Sequence, residues 1–275
     1  MRINFLVYSN SKNVDVLKVF LSQLNNCLIV DTPEIPRVIV LSDERTTSNI
    51  QQMNGFDLEF VIYREGEGFS KNLLRARSAL DEYFIYMQDD FFLHSAIRCS
   101  QLIEFIETIK DSKFSLYRLI PTGHRRSKAY LRSFRIPSRI TFQDGRFFLV
   151  DFLSALPACM QPTIWKTEMF MNMHDEIQIL NLRDEWHADY REYFKVNRIE
   201  GLASRELVLP YVAVTAVKRG KWNLLDSYYA DILIEILRNN DVNPLDRGVF
   251  LTSRRLSEPS SSFLKDIWRR LRYGL

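Results

Sequence analysis

Short apolar runs alternate with stretches of helical period through the first 112 residues. Residues 3–9, INFLVYS, are apolar until their polar end and predict a buried strand. Leu17, Phe20, Leu21 and Leu24 then recur at helical spacing. Residues 37–44, RVIVLSDE, are β-branched before breaking into Ser42-Asp43-Glu44, and residues 58–64, LEFVIYR, predict a third strand, followed by Gly66 and Gly68. Ser70 is placed to cap a helix carrying Leu73, Ala76 and Leu80 on one face. Residues 83–88, YFIYMQ, predict a fourth strand, and Leu102, Phe105, Ile106 and Ile109 mark the helix after it. Strands alternating with helices predict an α/β fold, a mostly parallel sheet with both faces covered.

The second half is less regular. Residues 113–120 (KFSLYRLI) and 145–153 (GRFFLVDFL) read as strands around a basic loop, GHRRSKAYLRSFR, that either binds an anionic acceptor or is simply solvated. QPTIWKTEMFMNM (161–173) reads as a helix with Pro162 and Thr163 as entry signals. NLRDEWHADYREYFKV (181–196) is dense in charge and aromatics, and LPYVAVTAV (209–217) is a β-branched strand that runs into KRGKWN. A linker, LSEPSSS, then leads to a short amphipathic helix with Phe263, Leu264, Ile267, Trp268 and Leu271 on one face. The chain therefore divides into one domain over residues 1–250, with halves 1–112 and 113–250, and a linker and basic helix over 251–275.

Composition narrows the class. The chain has 275 residues, 46% hydrophobic and 26% charged, with only 9 Gly and 9 Pro, which is ordinary for a globular protein and unlike a disordered or collagenous one. No run approaches the roughly 18 apolar residues of a membrane span. Cys27, Cys99 and Cys159 show no metal-ligand spacing, and reduced thiols in a cytoplasmic setting are expected. The net charge of +3 is uneven: residues 254–275 hold six basic and two acidic groups, a net +4, and the rest of the chain is at −1. A neutral body whose aromatics follow core periodicity argues against nucleic-acid binding.

Chemistry concentrates at strand ends. In open α/β sheets ligands lie beyond the carboxyl ends of the strands, so Ser9-Asn10, Ser42-Asp43-Glu44 and Asp89-Asp90 are expected to face one cleft. The doublet Asp89-Asp90 lies between YFIYMQ and Phe91-Phe92-Leu93, an apolar setting that carboxylates rarely enter unless paired or bound to metal. Hard cations such as Mg²⁺ or Mn²⁺ take one or two carboxylates plus substrate phosphates. The same doublet also fits as the cap of the next turn, and spacing alone leaves both readings open. His94, His124 and His174 lack ligand spacing and read as structural or surface residues.

The ordered set VYSNSKN (7–13), VIVLSDE (38–44), GEGFSKNLLRARSAL (66–80), YFIYMQDDFFL (83–93), PACMQPTIWKTEMF (157–170) and YVAVTAVKRGKWN (211–223) resembles the nucleotide-sugar glycosyltransferases of the GT-A fold, particularly bacterial enzymes that build capsular and surface polysaccharides. The resemblance implies a Rossmann-type sheet, a UDP-sugar donor and a Mn²⁺ or Mg²⁺ ion. Ser9, Asn10, Asp43, Asn72, Asp89 and Lys221 would then contact the nucleotide and its diphosphate, and Asp90 with Asp89 would hold the metal. Because the motif is Gln88-Asp89-Asp90, the resemblance gives most of the metal contact to Asp90 and turns Asp89 toward ribose or donor sugar. In Glu185-Trp186-His187-Ala188-Asp189 the last acidic position implies Asp189 as the base of an inverting transfer, with Glu185 as second choice. A charged, solvated helix face is the plainer reading of that stretch.

The implied acceptor is a glycan or lipid-linked glycan at a cell surface. The basic C-terminal helix fits a peripheral contact with the inner face of the membrane, or docking on the protein itself or a second subunit. Two other readings stay open. A nucleotidyltransferase shares such a core, but residues 9–15, SNSKNVD, lack the expected glycine-rich loop. A non-catalytic module that binds a sugar nucleotide or glycan needs no base at all.

Overall fold

The computed structural model describes residues 1–48, 50, 54–112, 114–119, 147–150, 162–179, 188–204, 216–218, 220–224 and 227–250. The expected basic loop at 123–135, Glu185, most of the strand at 209–217, Cys159 and the C-terminal helix lie outside the described residues.

Eight strands form the central sheet: β1 (Asn4–Tyr8), β3 (Arg37–Ser42), β4 (Asp57–Ile62), β5 (Tyr83–Gln88), β7 (Leu116–Arg118), β8 (Phe147–Val150), β9 (Thr163–Lys166) and β10 (Gly201–Ser204), in the order β4-β3-β1-β5-β9-β7-β10-β8. The pairings β4·β3, β3·β1, β1·β5 and β10·β7 are parallel, whereas β9 runs antiparallel to β5 and β7, and β8 antiparallel to β10. Two short strands, β2 (Leu28–Ile29) and β6 (Ile97–Arg98), pair beside it. A third sheet joins β11 (Val217–Lys218), β12 (Lys221–Asn223) and β13 (Val249–Phe250).

Alternation along the strands splits the core in two. Phe5, Val7, Ile85 and Met87 face α1 (Val14–Cys27) and α4 (Cys99–Lys110), meeting Leu17, Phe20, Leu24, Leu102 and Ile106. Leu6, Ile39, Phe84 and Tyr86 face α3 (Phe69–Leu74) and α5 (Thr167–Glu176), meeting Phe69, Leu73 and Phe170. The short helix α2 (Glu44–Thr47) follows β3, α6 (Ala188–Val196) precedes β10, and α7 (Ser227–Asn239) and α8 (Pro244–Arg247) close the described chain. No helix among the described residues is long and apolar enough to cross a membrane.

Two expectations are corrected. Pro162 precedes a strand that Thr163 opens, and the helix begins only at Thr167. Thr163, Ile164 and Trp165 are wholly buried, because β9 fills the slot between β5 and β7 and takes hydrogen bonds from both. Ser70 does not cap α3. The N-cap is Gly68, at φ 90 and ψ 155, backbone space that only glycine occupies cheaply. Ser70 instead lies in the first turn, where its hydroxyl donates to Ile177 O at 2.7 Å and accepts from Ile179 N at 3.0 Å. The helix also stops at Leu74, so Ala76 and Leu80 lie beyond it, flanking a further tight turn at Arg77–Ala79.

Candidate functional site

The parallel strands are visited in the order β1, β3, β4 toward one edge, and the chain then returns to place β5 on the other side of β1. That reversal marks the carboxyl ends of β1 and β5 as the switch point, the usual ligand position in sheets of this kind. The residues immediately after those two strands are Ser9 and Asp89. Both project to the α1 side, by alternation from Val7 and Met87. Ser9 Oγ donates to Asp89 Oδ2 at 2.6 Å, inside the protein.

Asp89 is 5% exposed. Desolvation disfavours its charge and pushes the carboxyl up to about 7, against the Ser9 hydrogen bond, the Arg247 guanidinium and the Asn13 side chain, all of which favour the anion. Gln88 O accepts from Phe91 N at 3.2 Å, so the doublet sits in a turn, and Phe91 and Phe92 are buried behind it. Asp90 is half-buried and its carbonyl accepts from Ala216 N at 2.9 Å. Asn223 N in turn donates to Ala216 O at 2.7 Å, which anchors the β11–β12 hairpin beside the doublet.

The other strand-end residues converge on the same edge. Ser9 N donates to Leu41 O at 3.0 Å, extending the β1–β3 ladder. Asn10 caps the tight turn Ser11–Asn13, its Oδ1 accepting from Lys12 N. Asp43 caps α2: Oδ1 accepts from Thr46 N at 3.1 Å and Thr46 Oγ1 at 3.0 Å, while Oδ2 accepts from Ser11 N at 2.7 Å. Burial works against its charge, but these bonds outweigh it and hold the Asp43 carboxyl below the ordinary range. Asp43 therefore ties the loop after β1 to the loop after β3.

On the α3 side Tyr8 stacks on Tyr63 at 5.5 Å with planes 5° apart, and Phe69 meets Tyr8 edge-on at 5.0 Å. Burial raises the Tyr8 phenol, and hydrogen bonds with Tyr63 and Asn72 partly offset it. Asn72 is 5% exposed, and its Oδ1 has no hydrogen-bond partner among the described residues. Lys221 is exposed on β12, next to Gly248, while Trp222 beside it is fully buried. Asp189 lies in the first turn of α6; its side chain, like Glu185 altogether, is outside the described residues.

The edge thus brings Ser9, Asn10, Asp43, Asn72, Asp89 and Asp90 together. Tyr8 and Tyr63 also line it, and their place as the last residue of β1 and the first after β4 was a usable signal. Arg247 enters with no local signal, since PLDRGVF carries no motif. Among the described residues no three His, Cys, Asp or Glu side chains gather to hold a metal by themselves. Two carboxylates and a hydroxyl are nevertheless hard oxygen donors, the kind used by cations that draw their other ligands from water and phosphate. No protein-family model matches the chain, and no curated protein matches it in sequence. What fold and edge define is a class: an α/β protein with polar side chains gathered at the switch point of a mostly parallel sheet.

Proposed function

We propose that this protein is an inverting glycosyltransferase that moves a sugar from a nucleotide-diphosphate donor, a UDP-sugar, to a hydroxyl of a cell-surface glycan. The observation that carries the reading is the Ser9–Asp89 pair, buried at the switch point between β1 and β5, with Asp90 next in sequence. A carboxyl held near neutral by desolvation regains its charge when a cation arrives, so the pair suits a site completed by ligand. Tyr8, Tyr63 and Asn72 offer a flat aromatic wall and an unfilled acceptor to a nucleoside. Asp89 and Asp90 would hold Mn²⁺ or Mg²⁺, whose chemistry here is to neutralise the charge that builds on the departing diphosphate. Asp189, from the second half of the chain, takes the proton of the acceptor hydroxyl as that oxygen attacks the anomeric carbon.

The test is a thermal-shift screen of nucleotides and nucleotide sugars with and without Mn²⁺, since a ligand that binds only the native state raises its melting temperature. UDP or a UDP-sugar is expected to stabilise the wild type in a Mn²⁺-dependent way. Asp90→Ala is expected to abolish the Mn²⁺ dependence. No shift with any nucleotide overturns the assignment.

A further inference from the structure

The end of the described chain reaches the site from more than two hundred residues away. The single turn α8 is capped by Asn243, whose side chain accepts from Leu245 N at 3.0 Å. Gly248, at φ 78, then turns the backbone into β13. This sharp exit sets Arg247 against the start of α1 and the tight turn before it. Nε donates to Asp15 Oδ2 at 2.8 Å, and Nη2 donates to the other oxygen of Asp15 and to Lys12 O at 3.0 Å. Nη1 donates to Asn13 Oδ1 at 3.3 Å. The guanidinium carbon lies 5.6 Å from the centre of the Trp222 ring, and the Arg247 side chain is only 11% exposed.

We infer that Arg247 is a positioning residue, a clasp that fixes the loop after β1 in the shape in which Ser9 and Asn13 meet Asp89. Four contacts with three residues, two in the tight turn after β1 and one in the first turn of α1, need the flat, multiply donating fork of an arginine; a lysine offers a single point charge. The relay is direct. Asn13 gives its amide oxygen to Arg247 while its side chain also faces Asp89, and Ser11, two residues before it, is bound to Asp43. Residues 243–250 thereby become part of the site, because β13 pairs with β12 and the β11–β12 hairpin is bonded to Asp90.

The ligand arm of the test rests on the function proposed above; the exchange arm does not. Amide hydrogen exchange of residues 11–15 is compared in the full chain between wild type, Arg247→Gln, Arg247→Lys and Asp15→Asn, with the urea midpoint followed in parallel. Losing a charged hydrogen-bonded pair is expected to speed exchange of that loop by about tenfold in Arg247→Gln and Asp15→Asn, with α4 amides and the midpoint little changed. Arg247→Lys should fall between wild type and Arg247→Gln. Unchanged loop exchange, or equal acceleration across the whole chain, overturns the clasp. Should Arg247→Gln not fold, Asp15→Asn and Arg247→Lys decide the same question. UDP with Mn²⁺ is titrated into each protein by calorimetry, and affinity about tenfold weaker in the variants is expected. Wild-type affinity in a variant with a loosened loop reduces Arg247 to a mere tether and also overturns the inference. Absence of UDP binding to the wild type removes the function instead, and the exchange result then decides the clasp alone.

Discussion

Burial pushes the Asp89 carboxyl up to about 7 and the His174 imidazole down to about 3, and one cause serves both, since desolvation penalises whichever form carries charge. At His174 the neighbours are Phe69, Phe170 and Ser70, whose Oγ lies 3.1 Å from Nδ1. The Ser70 hydrogen goes to Ile177 O, so Nδ1 must be the donor, which assigns the tautomer. The folded state resists protonation down to about pH 3, whereas an unfolded histidine takes a proton near 6.5. Between those values the unfolded chain binds more protons, so stability falls as pH drops from 6.5. By pH 5 His174 is expected to cost about 2 kcal/mol relative to pH 7, and His174→Leu should abolish that part of the loss in urea unfolding at the two pH values. An equal loss in both proteins sinks the assignment. At this scale Ser9, Asp43, Asp89 and Asp90 were legible because polar residues at the ends of apolar strands have one place to go, whereas Asn72, inside α3, came only from the resemblance. Arg247 was not, because its partners Lys12, Asn13 and Asp15 are remote in sequence.

Elements were legible where a single face is buried. The period-3.6 stripes of α1 and α4 end up on the sheet as expected, because each helix covers one side of it. β9 was misread because its residues are buried on both faces, and a short continuous apolar run has no period that separates strand from helix. Its neighbours β5 and β7 supply the ladder that makes it a strand. The helix over Ser227–Asn239 and β13 carried no motif; with β11 and β12 they pack around Trp222, Leu224, Leu233 and Leu237. At α3 the decisive residue is Gly68 rather than Ser70. Gly68→Ala puts a Cβ at φ 90 and is expected to cost roughly 1–3 kcal/mol in urea unfolding. A loss below about 0.5 kcal/mol, the usual size of a surface change, would show that the turn relaxes instead.

Among the described residues, six of the eight strands of the central sheet run the same way and their carboxyl ends share one edge. The proposed division of labour gives the donor to the first half of the chain and the proton transfer to Asp189 in the second. Asp189→Asn is therefore expected to bind UDP with Mn²⁺ like the wild type and to release nucleoside diphosphate from a UDP-sugar in the presence of glycan acceptors about two to four orders of magnitude more slowly. Wild-type turnover in that variant moves the base elsewhere.

The sequence by itself determined the alternation of strand and helix, the mostly parallel sheet, and the polar doublet at the end of β5, because apolar period and strand-end position are local properties of the chain. Only the tertiary structure decided that β9 is a strand, that Asp89 is buried on Ser9, and that Arg247 grips the loop after β1. Those outcomes depend on which distant segments share a ladder, a face or a charge, and separation along the chain carries no record of them.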